Sequence, residues 1–140
     1  MSKVVTLSEG ASLAIHAMII IGRSSGTINA QLMAQQMQSS RNHLAKVMQR
    51  LVKEGFVKST RGPSGGFVLN KPANEISLLD IYESIEGPLE LSECPLGKKI
   101  CPIGSCLMEG IIHQATFLIK DYFMQRKLSD FIGHSNILSE

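Results

Sequence analysis

Outside one stretch of thirteen residues the chain contains no cysteine. Cys94, Cys101 and Cys106 are its only thiols, and an odd number cannot pair off completely, which argues against a simple disulfide framework. Long apolar runs are missing too. The longest strongly apolar run, Ala17 to Ile21, is far too short to span a bilayer. No secretory pattern opens the sequence: Lys3 is the only early positive charge, and Ser8, Glu9 and Gly10 interrupt any apolar region. Catalytic constellations are equally absent, with no Ser-His-acid or Cys-His pairing at a recognisable spacing and no carboxylate pair in an apolar setting. The expectation is a cytoplasmic protein that is not an enzyme and has no membrane partner. In a reducing compartment, clustered cysteines more often bind metal or do redox chemistry than staple a fold.

Acidic side chains are scarce in the first half. Residues 1–72 hold nine basic side chains against Glu9 and Glu54, a balance of +7, while residues 73–140 hold five basic and ten acidic ones, a balance of −5. A basic half joined to an acidic half points to a polyanion partner for the first half alone. At 140 residues the chain is long enough for one domain, or a small domain with an appended helical piece, and can bury a core without covalent staples.

Apolar residues recur at helical spacing from Leu7 to about Arg23 and stop at Ser24, Ser25 and Gly26. A short helix is expected from Asn29 to Met37, broken by Gln38, Ser39 and Ser40. Ser40 stands as the N-cap of a second helix, Arg41 to Glu54. In that helix Leu44, Val47, Met48, Leu51 and Val52 form one apolar stripe, Arg41, His43, Lys46, Arg50 and Lys53 occupy the other face, and Gly55 ends it. Two helices across a three-residue turn, the second basic outside, make a helix-turn-helix. Two β-prone runs, residues 56–60 and 67–70, then flank Arg61, Gly62, Pro63, Ser64, Gly65 and Gly66, which reads as a wing with a narrow basic tip. The tip lacks the ending and the following helix that a nucleotide-binding P-loop needs.

Lys71 and Pro72 close this unit. Ser77 is expected to cap a helix from Leu78 to Ile85 that ends at Gly87 and Pro88, and the cysteine loop occupies 92–106. A long helix of about 105–126 follows, roughly 33 Å at 1.5 Å per residue. Its apolar stripe has little of its own domain to pack on, so a second copy of the chain is the expected partner. A short element at Leu128 to Ile132 completes the pattern. The fold class is therefore mainly α with a small β-wing. A winged helix-turn-helix over 1–72 precedes an effector and dimerisation region over 73–140.

Within a helix-turn-helix the first turns of the second helix reach base edges while other residues hold phosphates. Here those turns offer Ser40, Arg41, Asn42, His43 and Lys46. Asn42 suits a bidentate pair with adenine, and Arg41 or Lys46 suits guanine or a phosphate. Arg50 and Lys53 lie further along, as phosphate contacts or solvated charges. Arg61, with Gly62 and Pro63 beside it, is placed for a minor groove.

Three segments carry a family resemblance: Ser39 to Leu44, Leu51 to Val57, and Arg61 to Phe67. Together they resemble the winged-helix regulators typified by IscR and NsrR, over about residues 7–130, and the Arg-Gly-Pro-x-Gly-Gly-aromatic tip is the most diagnostic piece. The resemblance implies a homodimeric bacterial transcription regulator that binds an operator in double-stranded DNA. It places Ser40, Asn42, His43 and Lys46 at recognition positions and Arg61 at the wing arginine. Many members carry an iron–sulfur cluster and respond to nitric oxide, oxygen, iron or cluster supply.

Thiolate-rich sites select iron–sulfur clusters, zinc or copper(I), and the wide spacing of Cys94, Cys101 and Cys106 suits a cluster better than a zinc site. The commonest cluster-binding relatives have intervals of about five and five residues, whereas this chain has six and four. In one branch a histidine three residues after the last cysteine completes the site, and here that position is Glu109. In another branch an acid on the first helix of the partner subunit does so. Here that position is Ser12, with Glu9 a turn earlier. Cys106, Glu109 and His113 share one face of a continuous helix, so Glu109 and His113 both stand as fourth-ligand candidates, for a 2Fe–2S or a 4Fe–4S cluster. The expected function is thus a DNA-binding regulator, a repressor by preference, whose operator affinity follows the cluster. A cluster-free thiol-redox regulator is the alternative, and a small cluster-carrying redox protein comes third.

Overall fold

The Ser8 hydroxyl accepts a hydrogen bond from the Ala11 amide at 3.1 Å and so starts α1, Glu9–Arg23. The structure, a computed structural model, describes residues 5–91 and 110–133. α1 is apolar almost all round, with Ala11, Ala14, Ala17 and Met18 wholly buried, and it forms the axis of the fold. Around it pack α2 (Ala30–Met37), α3 (Arg41–Lys53), α4 (Leu78–Glu86) and the short α6 (Ser129–Ile132). Alanines along α1 let these neighbours approach closely, and Met33, Leu44, Met48, Leu51 and Ile81 fill the space between them.

Two strands follow α3. β1 (Val57–Thr60) and β2 (Gly66–Leu69) are antiparallel, with Val57 opposite Leu69 and Thr60 opposite Gly66. An isolated bridge between Ile28 and Phe67, closed by backbone bonds of 3.2 and 2.9 Å, fastens the hairpin to the segment before α2. A 3-10 turn at Ala73–Glu75 leads to α4, which begins with a full capping box. The Ser77 hydroxyl accepts from the Asp80 amide, and the Asp80 carboxylate accepts from the Ser77 amide, both at 3.0 Å.

The core does not stop at residue 72. Leu78, Leu79 and Ile81 of α4 and Phe123 and Leu128 near the C-terminus belong to the same cluster as α1 and α3. Backbone bonds from Leu78 to Arg126 (3.0 Å) and from Leu128 to Ile76 (2.8 Å) stitch the distal segment to the start of α4. The Arg23 guanidinium donates through Nε and Nη2 to the Phe131 carbonyl, at 2.9 and 2.6 Å, and ties α6 to the end of α1.

The helix before α6 differs from the expected span of about 105–126. α5 covers Ile111–Gln125, and Gly110 in front of it has φ +81° and ψ 4°, a left-handed conformation from which a right-handed helix cannot run on unbroken. Residues 105–109 lie outside the described residues. Of α5, Phe123 is buried against Tyr82 of α4, with ring centroids 5.9 Å apart. Burial, then the Glu86 and Glu83 carboxylates, push the Tyr82 phenol above its ordinary value of 10.0, so it remains neutral beside that ring. Among the described residues no helix is long and apolar enough to cross a membrane.

Candidate nucleic-acid interface

Gln38 creates the sharp corner between α2 and α3. It is the one non-glycine residue with positive φ among those described, at +52°, and its amide bonds back to the Ala34 and Gln35 carbonyls. This left-handed C-cap ends α2, and two residues later Ser40 caps α3 by accepting from the His43 amide at 3.3 Å. Neither Gln38 nor Ser39 signals a left-handed corner by type, since glycine or asparagine usually fills such a position.

α3 buries Leu44, Val47, Met48 and Leu51. Opposite that stripe, Asn42, Lys46, Gln49 and Lys53 stand at i, i+4, i+7 and i+11, and all four are exposed. They form a polar ridge pointing straight out from the core. Gln49 belongs to this ridge although it carries no charge to mark it. Arg41 is exposed at the start of the helix.

His43 and Arg50 lie seven residues apart on the flank of the helix rather than on its crest. The Nδ1 of His43 is 3.3 Å from Glu9 Oε1 at the start of α1. The Nε of Arg50 donates to the Ser84 carbonyl in α4 at 2.8 Å, and its guanidinium is 3.7 Å from Glu54. Both therefore have partners within the chain. Arg50, expected as a phosphate contact or a solvated charge, also fastens α3 to α4.

The wing hairpin and α3 border one open cleft, to which Gln49 and Val52 contribute from the helix and Ser59 and Phe67 from the strands. Arg61, Gly62, Pro63 and Ser64 are all exposed at the tip of the wing. A Gly65 amide to Gly62 carbonyl bond of 2.9 Å closes the turn, and the Thr27 hydroxyl donates to the Ser64 carbonyl at 2.8 Å. Gly66 is required by close approach: a Cβ there would lie 2.5 Å from the Ile28 carbonyl oxygen. The tip is thus moored to the loop before α2, and Arg61 projects from a fixed base.

Cys94, Cys101, Cys106 and Glu109 lie outside the described residues. His113 is half-buried in the first turn of α5. The expectation that Cys106, Glu109 and His113 share one helix face assumed unbroken helical register, which the left-handed Gly110 interrupts. Among the described residues no group of three or more His, Cys, Asp or Glu side chains is placed to hold a metal ion.

A basic helix with its capped end free, beside an anchored basic wing, is the arrangement that fits a helix into a major groove and an arginine into the neighbouring minor groove. Comparison with known proteins shows a likeness to HTH-type transcriptional regulators. YffB of Lactococcus lactis, an HTH-type transcriptional regulator by name, is 35% identical over 83 residues, which are 58% of this chain and 53% of YffB. The HTH-type transcriptional regulator IscR of Pectobacterium atrosepticum is 29% identical over 101 residues, 71% of this chain and 61% of IscR. The chain thus spans little more than half the length of these curated relatives. Among solved structures, CymR, the global cysteine regulator of B. subtilis, superposes with a TM-score of 0.75 at 22% identity, over 94% of this chain and 98% of CymR, a likeness of fold. Residues 7–134 match the Rrf2 family, described as an iron-dependent transcriptional regulator. Nearly the whole chain takes part in that match, and the chain belongs to the Rrf2 family of transcriptional regulators.

Proposed function

We propose that the chain acts as a homodimeric, cytoplasmic repressor that binds an operator in duplex DNA through the crest of α3 and the wing. Asn42 and Lys46 read base edges. Arg41, Lys53 and the half-exposed Arg50 hold phosphates, and Arg61 with Gly62 and Pro63 enters the minor groove. The observation that carries this reading is the exposed ridge of Asn42, Lys46, Gln49 and Lys53 beside the moored Arg61 tip. The first 72 residues supply the DNA-reading surface, and residues 73–140 supply effector and dimer functions.

A second copy is the natural cover for α5, whose Ile111, Leu118 and Tyr122 share one face and are 53%, 69% and 47% exposed. The effector is an iron–sulfur cluster held by Cys94, Cys101 and Cys106 with Glu109 or His113. Three thiolates are a donor set suited to iron, and the family description names iron dependence. Such a cluster supplies a group that nitric oxide, oxygen or loss of iron can alter. The cysteine-bearing segment joins α4 to α5, and α4 is fastened to α3 through Arg50, so a change there has a short path to the DNA-reading helix. A coupling of about 1–3 kcal/mol would change operator affinity roughly 5–150-fold.

A second reading keeps the DNA binding and lets the three thiols respond to redox state without iron; a neighbour in fold, CymR of Staphylococcus aureus, has been solved in an oxidized form. Anaerobic purification followed by iron, zinc and acid-labile sulfide assays separates the two. Iron and sulfide near one cluster per chain, bleaching with nitric oxide, support the cluster. A colourless protein without iron rejects it.

A further inference from the structure

Glu9 is the only acidic side chain in the first 53 residues, yet its carboxylate lies against the DNA-reading helix. An acid there repels phosphate, and its place calls for a reason. Its contact is specific: Oε1 is 3.3 Å from Nδ1 of His43, the third residue of α3, while Glu9 itself is 74% exposed and His43 35%. The backbone that carries Glu9 is held firmly. Ser8 caps α1 and its hydroxyl donates to the Glu86 carboxylate at the end of α4. Gly10 packs so closely on α4 that a Cβ there would be 3.3 Å from Ile85. Around His43 an open cleft of about 340 Å³ is bordered by Lys46 and Arg50 of α3 and by Glu86 of α4.

We propose that Glu9 is a positioning residue for His43 in sequence reading: it holds the imidazole by Nδ1 and leaves Nε2 as the atom presented to the duplex. This rests on the DNA-binding reading above. The two ring nitrogens point to different sides of the imidazole. A carboxylate at Nδ1 requires a proton there, which fixes the tautomer and the ring orientation. In the neutral ring Nε2 is then an acceptor, suited to the amino group of adenine or cytosine. In the protonated ring it is a donor, suited to guanine or a phosphate. Without Glu9 both the tautomer and the ring rotation are released.

The test uses full-length wild type, Glu9→Ala, Glu9→Gln, His43→Ala and the Glu9→Ala/His43→Ala double variant. Affinity is measured for a duplex selected by the wild type from a randomised pool, and for a scrambled duplex of the same composition. Glu9→Ala is expected to weaken binding to the selected duplex about tenfold. Glu9→Gln, which keeps an acceptor oxygen, loses less, and binding to the scrambled duplex stays equal or tightens. In the His43→Ala background the Glu9→Ala loss disappears. Charge alone predicts the opposite sign, with both Glu9 variants binding both duplexes more tightly. That result, or a Glu9→Ala loss undiminished without His43, overturns the proposal. A wild type that selects no duplex over the scrambled one overturns the DNA-binding reading beneath it, which is a separate outcome.

Discussion

The Nε of Arg50 donates to the carbonyl of Ser84 at 2.8 Å, so a side chain of α3 is fastened to α4, the helix that precedes the cysteine-bearing segment. Arg50→Lys keeps the positive charge and loses this bond. The variant should be less stable by about 1 kcal/mol, read from the urea midpoint. The pair with Glu54 is half-exposed on both sides and adds little. An unchanged midpoint would mean that Arg50 serves only as a charge.

Gly66 tests whether the wing must be moored. Alanine there would place a Cβ 2.5 Å from the Ile28 oxygen, so backbone has to move. Gly66→Ala should lose about 2 kcal/mol of stability and weaken DNA binding as the tip shifts. Gly26→Ala, where nothing lies within 4 Å of the added atom, is the control and should be neutral or slightly stabilising. Equal behaviour of the two variants would show that the close approach to Ile28 does not hold the hairpin.

The exposed face of α5 makes a prediction about assembly. Leu118 is 69% exposed and lies between Ile111 and Tyr122 along the helix. Leu118→Glu should convert a dimer into a monomer in analytical ultracentrifugation while leaving the helical circular dichroism unchanged. Operator affinity should fall with it, because two linked half-sites bind together far more tightly than one. A variant that keeps the wild-type mass places the dimer contact elsewhere.

Much of this arrangement was legible in the chain, because it depends on local chemistry. Ser40 and Ser77 cap the helices that follow them, and the apolar stripe of Leu44, Val47, Met48 and Leu51 is buried as its spacing implies. The hairpin around Arg61 follows from β-prone runs flanking three glycines. What escaped depends on neighbours or on backbone. Helical periodicity tells which residues share a face, but not that α1 and α4 lie on the flank carrying His43 and Arg50. Gln49 shares the exposed crest yet carries no charge to mark it. Leu107, Met108, Ile111 and Ile112 keep helical spacing across Gly110, so only the glycine itself marks the left-handed turn. The stitching of Leu78 to Arg126 and of Leu128 to Ile76 uses only backbone groups, which have no side-chain signature.

The salt dependence of duplex binding tests the central claim most directly, that the crest of α3 and the wing together hold DNA. Titrations of the selected duplex at several salt concentrations, for wild type and for Lys46→Ala/Arg61→Ala, give the slope of log affinity against log salt. Both residues are exposed, so the double variant should melt at the wild-type temperature. Its affinity should fall at low salt, and its slope should be shallower by up to about four, because a dimer loses two cations at the DNA from each protomer. An unchanged slope and affinity would contradict the account and move the DNA-binding surface away from this helix and wing.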